Sequence, residues 1–428
     1  MKHLRKFNTA ADRTAFMQNT PIPVYPYVHY VADTKTAIFS DAEVDLPMYL
    51  ECINTLTFKF SNNFEYSFDG VTWEPATSST SVSSTKPGQR IYVRATGLTA
   101  TSSNGIGKFS ISSGNCAVGG NIMSMLYGAE YRGQTEITQT YAFYKLFNQA
   151  TRIKSARNLA LPATILTDYC YACLFYGCTG LVDAPALPAT VLTPYCYYYA
   201  FYGCSALVNA PVISAKELAK YCFAYTFAAC TALVDAPALS ATKLAEYCYY
   251  STFYGCSNLI NAPALPATEL AKFCYYSTFH NCTSLVNAQA LPAKVLMPGC
   301  YYSMYRGCKA LVNAPLIAAT TLADVILVSS SNYGCCAYMF CECTSLAKGP
   351  TLLAETLTDF CYYNMFNGCS KLSYIKAMYT TTASSSTGTW VSGVASEGVF
   401  VKNSAASWEN QFGTSNIPTG WTVELADA

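Results

Sequence analysis

Cysteine recurs along the C-terminal part of this chain at a fixed interval, and that interval is the strongest constraint on its fold. From Cys170 onward the cysteines fall into two registers. The first runs Cys170, Cys196, Cys222, Cys248, Cys274, Cys300, Cys335 and Cys361, and the second runs Cys178, Cys204, Cys230, Cys256, Cys282, Cys308, Cys343 and Cys369. Both step by 26 residues, apart from one step of 35 between the sixth and seventh members. The nine extra residues fit a single insertion near residues 325–333, VILVSSSNY. A fixed period of this size signals a solenoid of stacked coils.

One unit reads LPATVLTPYCYYYAFYGCSALVNAPV, residues 187–212, and eight copies begin at Leu161, Leu187, Ile213, Leu239, Leu265, Leu291, Ile317 and Leu352. An earlier degenerate copy, YAFYKLFNQATRI, carries Ala142 and Ala150 in place of the two cysteines. The position therefore asks for a small apolar group rather than for sulfur chemistry. Each unit holds an L-x-x-[AI]-x-[AV] element, such as Leu181, Ala184 and Ala186, then Leu207, Ala210 and Val212. That element resembles the strand of a leucine-rich repeat. The segment with Leu192, Cys196, Ala200 or Phe201, and Cys204 approximates helical spacing and ends at Gly203, so the expected coil is one short strand, a turn at L-P-A-T and one short helix. Pro185, Pro211, Pro237, Pro263 and Pro315 recur inside the strand element. Proline cannot donate to a ladder, which predicts very short strands and an imperfect sheet.

The motif F-x-G-C-x-x-L-x-x-A-P-x-L-P-A-T, over about residues 135–378, resembles the BspA-like leucine-rich repeat of surface proteins of gut Bacteroidetes and of their phages. The resemblance implies a solenoid that binds other macromolecules, with adhesion or recognition as its role and no catalysis.

The flanks suggest further modules. Residues 1–43, which include PIPVYPYVHYV, look extended and suit attachment to a partner or a sister chain. Residues 44–120 alternate in the β manner through LTFKF, FEYSF, RIYVRA and GKFSIS, with Asp69-Gly70 as a hairpin signal, which suits a small all-β sandwich-like domain. The solenoid is assigned to residues 121–378. Residues 379–428 begin with TTTASSSTGT, read as a linker, and end in a Trp-bearing cap.

Charge excludes other classes. Lys plus Arg number 26 against 25 Asp plus Glu, which argues against nucleic acid as a partner. Three histidines disfavour a His-rich metal site. No stretch approaches the roughly 18 apolar residues of a membrane span, and the first twenty residues lack the apolar region of a secretory signal. A reducing cytoplasm is therefore the expected site of folding.

Each candidate chemistry has a structural alternative. Cys196 and Cys204 would lie roughly 12 Å apart on a helix at 1.5 Å per residue, and packed helices would hold equivalent cysteines of neighbouring coils about 8–10 Å apart. Core packing is therefore the expected role of Cys170, Cys178, Cys196, Cys204, Cys222, Cys230, Cys248, Cys256, Cys274, Cys282, Cys300, Cys308, Cys361 and Cys369. Cys335, Cys336, Cys341 and Cys343 cluster without zinc-site spacing. No metal, cofactor or catalytic residue is assigned. Asp183, Asn209, Asp235, Asn261, Asn287 and Asn313 form an Asx column. Stacked amides that satisfy the backbone of neighbouring coils are preferred there over binding of calcium or sugar hydroxyls.

Tyrosine, with 35 copies, supplies the binding candidates. Tyr198, Tyr250, Tyr276 and Tyr302 each follow a tyrosine next to a first-register cysteine. Adjacent helical positions point about 100° apart, so one of each pair is expected inside and its partner outside. Six places after that cysteine the residue varies: Tyr176, Tyr202, Ala228, Tyr254, His280, Arg306, Cys341 and Asn367. Variation within a regular repeat marks this as a solvent-facing column. Binding is therefore assigned to Tyr176, Tyr198, Tyr202, Tyr250, Tyr254, Tyr276, His280, Tyr302 and Arg306. The alternative, that these rings fill the layer between coils, stays open. Val182, Val208, Val234, Ile260, Val286 and Val312 form a second exposed column.

The expected function is non-enzymatic surface recognition. A phage virion protein, in the tail or a capsid appendage, would contact a host surface glycan or protein. Its N-terminal region would hold other virion proteins, since its wording resembles that of virion proteins of Bacteroidetes phages. Assembly in the host cytoplasm would place it on the virion surface. The alternative is a bacterial cell-surface adhesin whose export signal lies outside this sequence. A homo-oligomer is compatible with both.

Overall fold

The computed structural model describes residues 29–31, 36–38, 41–323, 326–328, 331–381 and 385–426. The expected attachment segment, residues 1–43, lies outside the described residues except for its last few and a pair of short antiparallel strands, His29–Val31 and Thr36–Ile38.

Two sheets build the N-terminal region. The larger orders Ile153–Ala160, Cys116–Asn121, Tyr49–Cys52, Arg90–Arg94, Phe64–Ser67 and Glu74–Ala76, and the smaller orders Val82–Ser83, Thr57–Phe60 and Phe109–Ser113. Alternation turns Phe58 and Phe60 of the small sheet inward, where they meet Phe64 of the large one at 6.3 and 5.8 Å between ring centres. The Asp69-Gly70 turn lies between Phe64–Ser67 and its antiparallel partner Glu74–Ala76. Asp69 Oδ1 accepts the amides of Val71 and Thr72 at 2.8 and 2.7 Å, and those bonds hold its carboxyl well below the ordinary value. One strand of the large sheet, Ile153–Ala160, already belongs to the degenerate coil and pairs in parallel with Cys116–Asn121. The hydrophobic core therefore runs without a break across residue 120.

The repeats stack as a solenoid that is mostly β. The expected helix in each coil is absent: among the described residues, no helix lies beyond Tyr131. A run of tight turns replaces it. Tyr195, Tyr199 and Gly203 take positive φ values of 58°, 55° and 70°, every fourth residue. The amides of Cys196, Tyr198, Ala200 and Tyr202 donate three residues back. Those of Tyr197, Tyr199, Phe201 and Gly203 donate to the next coil, at the carbonyls of Cys222, Ala224, Thr226 and Ala228. A helix would consume every amide internally and leave none for the neighbouring coil. The true period is thus four, which buries Cys196 with Tyr197, then Ala200 with Phe201, then Cys204. Over one coil, four and 3.6 are hard to tell apart, and this explains the misread helix.

Direct backbone bonding also corrects the expected spacing. Equivalent residues of neighbouring coils stand about one strand spacing apart, roughly 4.7–4.9 Å, rather than at the distance of packed helices. All the cysteines are nonetheless free thiols and buried.

On the other side of the coil the ladder is reduced to single parallel bridges, such as Asp183 with Asn209 and Leu187 with Ile213. The recurring prolines lack the donor a longer ladder needs. Continuous strands return at the C-terminal end, where Lys348–Leu352, Tyr374–Ala377, Val399–Lys402 and Thr422–Leu425 form a parallel sheet. The insertion forms an antiparallel hairpin of Ile326–Val328 and Ser331–Tyr333. The stack continues past it, since the Tyr301 amide donates to the Cys335 carbonyl. Part of the segment read as a linker, from Ser385 onward, also belongs to a coil. The carbonyls of Ser386, Gly388, Trp390 and Ser392 accept amides from Tyr362, Asn364, Phe366 and Gly368, and the Trp390 side chain is fully buried.

Candidate functional site

The turn side carries the two cysteine registers and the aromatic columns of the solenoid. The second-register thiols do more than pack. Each donates to the carbonyl 29 residues earlier across a regular coil: Cys204 to Phe175, Cys230 to Phe201, Cys256 to Phe227 and Cys282 to Phe253, all at 3.1 Å. Those carbonyls already accept one turn amide, and the thiol fills the second lone pair. Thr226, Thr252 and Thr278 serve the same purpose one turn earlier, at 2.8–3.0 Å. Burial pushes Cys170, Cys178, Cys222, Cys256 and Cys274 up to about 12. Such thiols are protonated at neutral pH and poor nucleophiles. Among the described residues, no three His, Cys, Asp or Glu side chains gather as a metal site would need.

Aromatic rings climb the same side in columns. Tyr171, Tyr197, Phe223, Tyr249, Tyr275 and Tyr301 stack at 5.6–6.1 Å inside the coil. Phe175, Phe201, Phe227, Phe253 and Phe279 stack beside them at 5.5–5.6 Å. The hydroxyls of Tyr171, Tyr197 and Tyr305 are buried without a hydrogen-bond partner. A third column lies nearer the surface. Tyr169, Tyr195, Tyr221, Tyr247 and Phe273, each in the left-handed position before a first-register cysteine, stack at 4.4–4.9 Å with nearly parallel rings.

This outer column forms one wall of a groove of about 460 Å³, lined by Tyr195, Tyr198, Tyr199, Tyr221, Tyr225, Tyr247, Tyr250, Phe273, Tyr276 and Tyr333. Three departures from the repeat localise it. Tyr199 and Tyr225 stack at 4.5 Å, whereas neighbouring coils place Cys173, Ser251 and Ser277 at that left-handed position. Ala224 interrupts the register of Tyr198, Tyr250 and Tyr276, and Tyr250 approaches Tyr225 to 5.1 Å. Tyr333 of the insertion closes the end, edge-on to Phe273 at 5.4 Å. The column itself stops there because Gly299 leaves room for the Phe273 ring, which a Cβ would meet at 2.3 Å. Burial, aided by neighbouring phenols, pushes the hydroxyls of Tyr199, Tyr221, Tyr250 and Tyr276 up in pKa.

Of the nine binding candidates, the structure brings Tyr198, Tyr250 and Tyr276 into this groove. Tyr302 continues their column, stacked on Tyr276 at 4.7 Å. The other five stand in a ridge beside it, where Tyr202 and Tyr176 meet Tyr199 of the groove at 5.1 and 6.1 Å, and this ridge is less open than expected. Tyr254 is exposed, Tyr176, Tyr202, His280 and Arg306 are half-buried, and Ala228 and Cys341 of the same register are buried. The reason is pairing between coils: Tyr176 stacks on Tyr202 at 5.0 Å, Tyr254 meets His280 at 4.9 Å, and Arg306 pairs with Glu342 at 2.9 Å. Burial and the Arg306 charge push His280 down to about 4. Tyr195, Tyr221, Tyr247 and Phe273 are not among the sequence candidates, although an aromatic before six of the eight first-register cysteines is a visible signal.

The Asx column is a ladder, but of side chains rather than of side chain to backbone. Asn209 donates to Asp183 at 2.9 Å, and Asn287 donates to Asn261 at 2.8 Å. The valine column is exposed beside it, from Val182 at 38% to Val312 at 44%.

Comparison with known proteins adds no relative. No protein family, curated protein or solved structure matches this chain. Its function is therefore argued from the groove itself.

Proposed function

We propose that this chain is a non-enzymatic recognition protein whose tyrosine groove holds an extended, uncharged ligand. The observation that carries this reading is the lining of ten aromatic side chains without an ionised group. Rigid tyrosines offer large contact area and hydrogen-bonding tips at low entropic cost. A lining of phenols and one phenyl ring holds no carboxylate pair, thiolate or imidazole for bond cleavage.

The repeat motif supports kinship with BspA-like leucine-rich repeats and display on a surface. Our reading is a virion appendage that contacts a host surface glycan or protein and is held to other virion proteins by its N-terminal region. The test has two parts. Antibody against the chain should label purified phage particles; labelling of bacterial envelopes instead would make it a cell-surface adhesin. Labelled full-length chain should be retained by intact host cells, with retention falling about tenfold for Tyr198→Ala with Tyr250→Ala. Unchanged retention by that folded variant overturns the groove as the contact site.

A further inference from the structure

Resting on that reading, we propose that the groove takes a neutral, proline-rich peptide segment in the polyproline II conformation. Three features converge on this ligand.

The first is which part of each ring is free. Tyr195, Tyr221, Tyr247 and Phe273 stack face to face at 4.5–4.9 Å with interplanar angles of 6–13°, and Tyr199 stacks on Tyr225 at 4.5 Å. Tyr250 stacks on Tyr276 at 4.8 Å. Within these columns the faces that a sugar ring would lie upon are covered by neighbouring rings, while Tyr198 and Tyr333 of the lining make edge-on contacts alone. What these columns offer a ligand is edges and hydroxyls.

The second is hydrogen-bond sense. Nine phenols line the groove beside one phenyl ring, and burial pushes the Tyr199 and Tyr250 hydroxyls up, which favours their donor form. A polyproline II segment has no internal hydrogen bonds, and proline has no amide N–H. Such a ligand presents carbonyl acceptors with few competing donors, which matches a wall of O–H groups. It also carries no charge, in keeping with a lining of phenols and one phenyl ring.

The third is period. Polyproline II advances about 9.3 Å per three-residue turn, and two successive ring spacings, 4.9 Å from Tyr195 to Tyr221 and 4.5 Å from Tyr221 to Tyr247, come to about 9.4 Å. Prolines on one face of a ligand lying along the outer column therefore recur at every second ring of that wall. From Tyr195 to Phe273 the wall is about 14 Å long, room for four or five residues at about 3.1 Å each. Aromatic-lined grooves bind this conformation because it is ordered before it binds.

Titration calorimetry of the full chain with octaproline tests the inference. Octaproline should bind, and octaglycine, with the same backbone length but no fixed conformation, should bind at least tenfold more weakly. Tyr198→Phe, Tyr225→Phe and Tyr250→Phe together remove three hydroxyls and keep the rings; they should weaken octaproline about tenfold with little change in melting temperature. Ala224→Tyr, which restores the interrupted column, should abolish binding without removing any groove ring. No binding of octaproline, equal binding of octaglycine, or unchanged affinity in the triple variant overturns the proposal. Binding of cellohexaose instead, lost in the same variants, overturns the peptide ligand and leaves the recognition reading standing. Full retention on host cells by the groove variants removes both.

Discussion

The two sides of a coil are held by different forces, although they belong to the same 26-residue unit. On the turn side, every second amide reaches the next coil and the inner ring columns stack beneath buried thiols. On the strand side, proline reduces the ladder to isolated bridges, and Val208 and its equivalents lie exposed. The contrast teaches that a solenoid need not carry its ladder in strands. Left-handed residues at every fourth position cost on the order of 1 kcal/mol each for a side chain larger than glycine. That cost is offset because each such turn frees an amide for the neighbouring coil.

The largest expected effect comes from alkali, because the repeat's thiols all lie on the turn side. The folded protein holds five of them at about 12, above the ordinary value of 9.0. A raised folded value means the stabilisation is complete below pH 9 and is lost as pH climbs toward 12. Each thiol costs about 1.4 kcal/mol per pH unit in that window, on the order of 7 kcal/mol for the five by pH 10. Thermal unfolding from pH 6 to 10 should show a plateau and then a steep fall above pH 9. A flat profile to pH 10 would break the claim that these thiols are buried and protonated.

Single substitutions probe the contrast directly. Phe201→Ala opens the middle of a ring column and should cost about 3–5 kcal/mol by urea unfolding. Val208→Ala, on the exposed strand side, should cost less than about 1 kcal/mol. Comparable losses would mean that the strand side carries as much as the turn side. Cys230→Ala removes the bond to the Phe201 carbonyl and should cost about 1–2 kcal/mol, while Cys230→Ser, which keeps a donor, should cost less. If serine proves no better than alanine, the thiol acts by packing alone. The smallest change has the opposite sign. Tyr197→Phe removes a buried hydroxyl that has no partner and matches Phe223 of the next coil, so it should stabilise by up to about 1 kcal/mol. Destabilisation of that size would show that the hydroxyl is satisfied.

Much of the architecture was legible in the residues. The 26-residue cysteine period announced stacked coils, and the place of the insertion was readable from one longer step. Recurring proline announced a broken sheet. Ala142 and Ala150 are both buried at their cysteine registers, and their coil joins the stack through Phe143 on Tyr171 at 5.5 Å. The helix was misread because buried residues at 196, 200 and 204 fit a period of 3.6 nearly as well as one of four. The Ser-rich stretch looks like a linker because composition does not reveal that the carbonyls of Ser385, Ser386 and Gly388 accept amides from the coil before them. The groove was half-visible. Tyrosines after the cysteines stand out as adjacent pairs, whereas the single aromatics before them do not.

By itself, the sequence determined the repeat, its period, its small buried columns and the neutrality of its aromatic surface. Those follow from residue type and spacing, which any stacked arrangement must respect. Only the tertiary structure decided the conformation inside the repeat and the place of the groove. The first depends on which amides bond within a coil and which bond across coils, a choice made between chain segments 25 residues apart. The second depends on Ala224 interrupting one column, Gly299 ending another and Tyr333 reaching Phe273 once the coils are stacked. Such departures from a pattern become a site only when the coils are stacked.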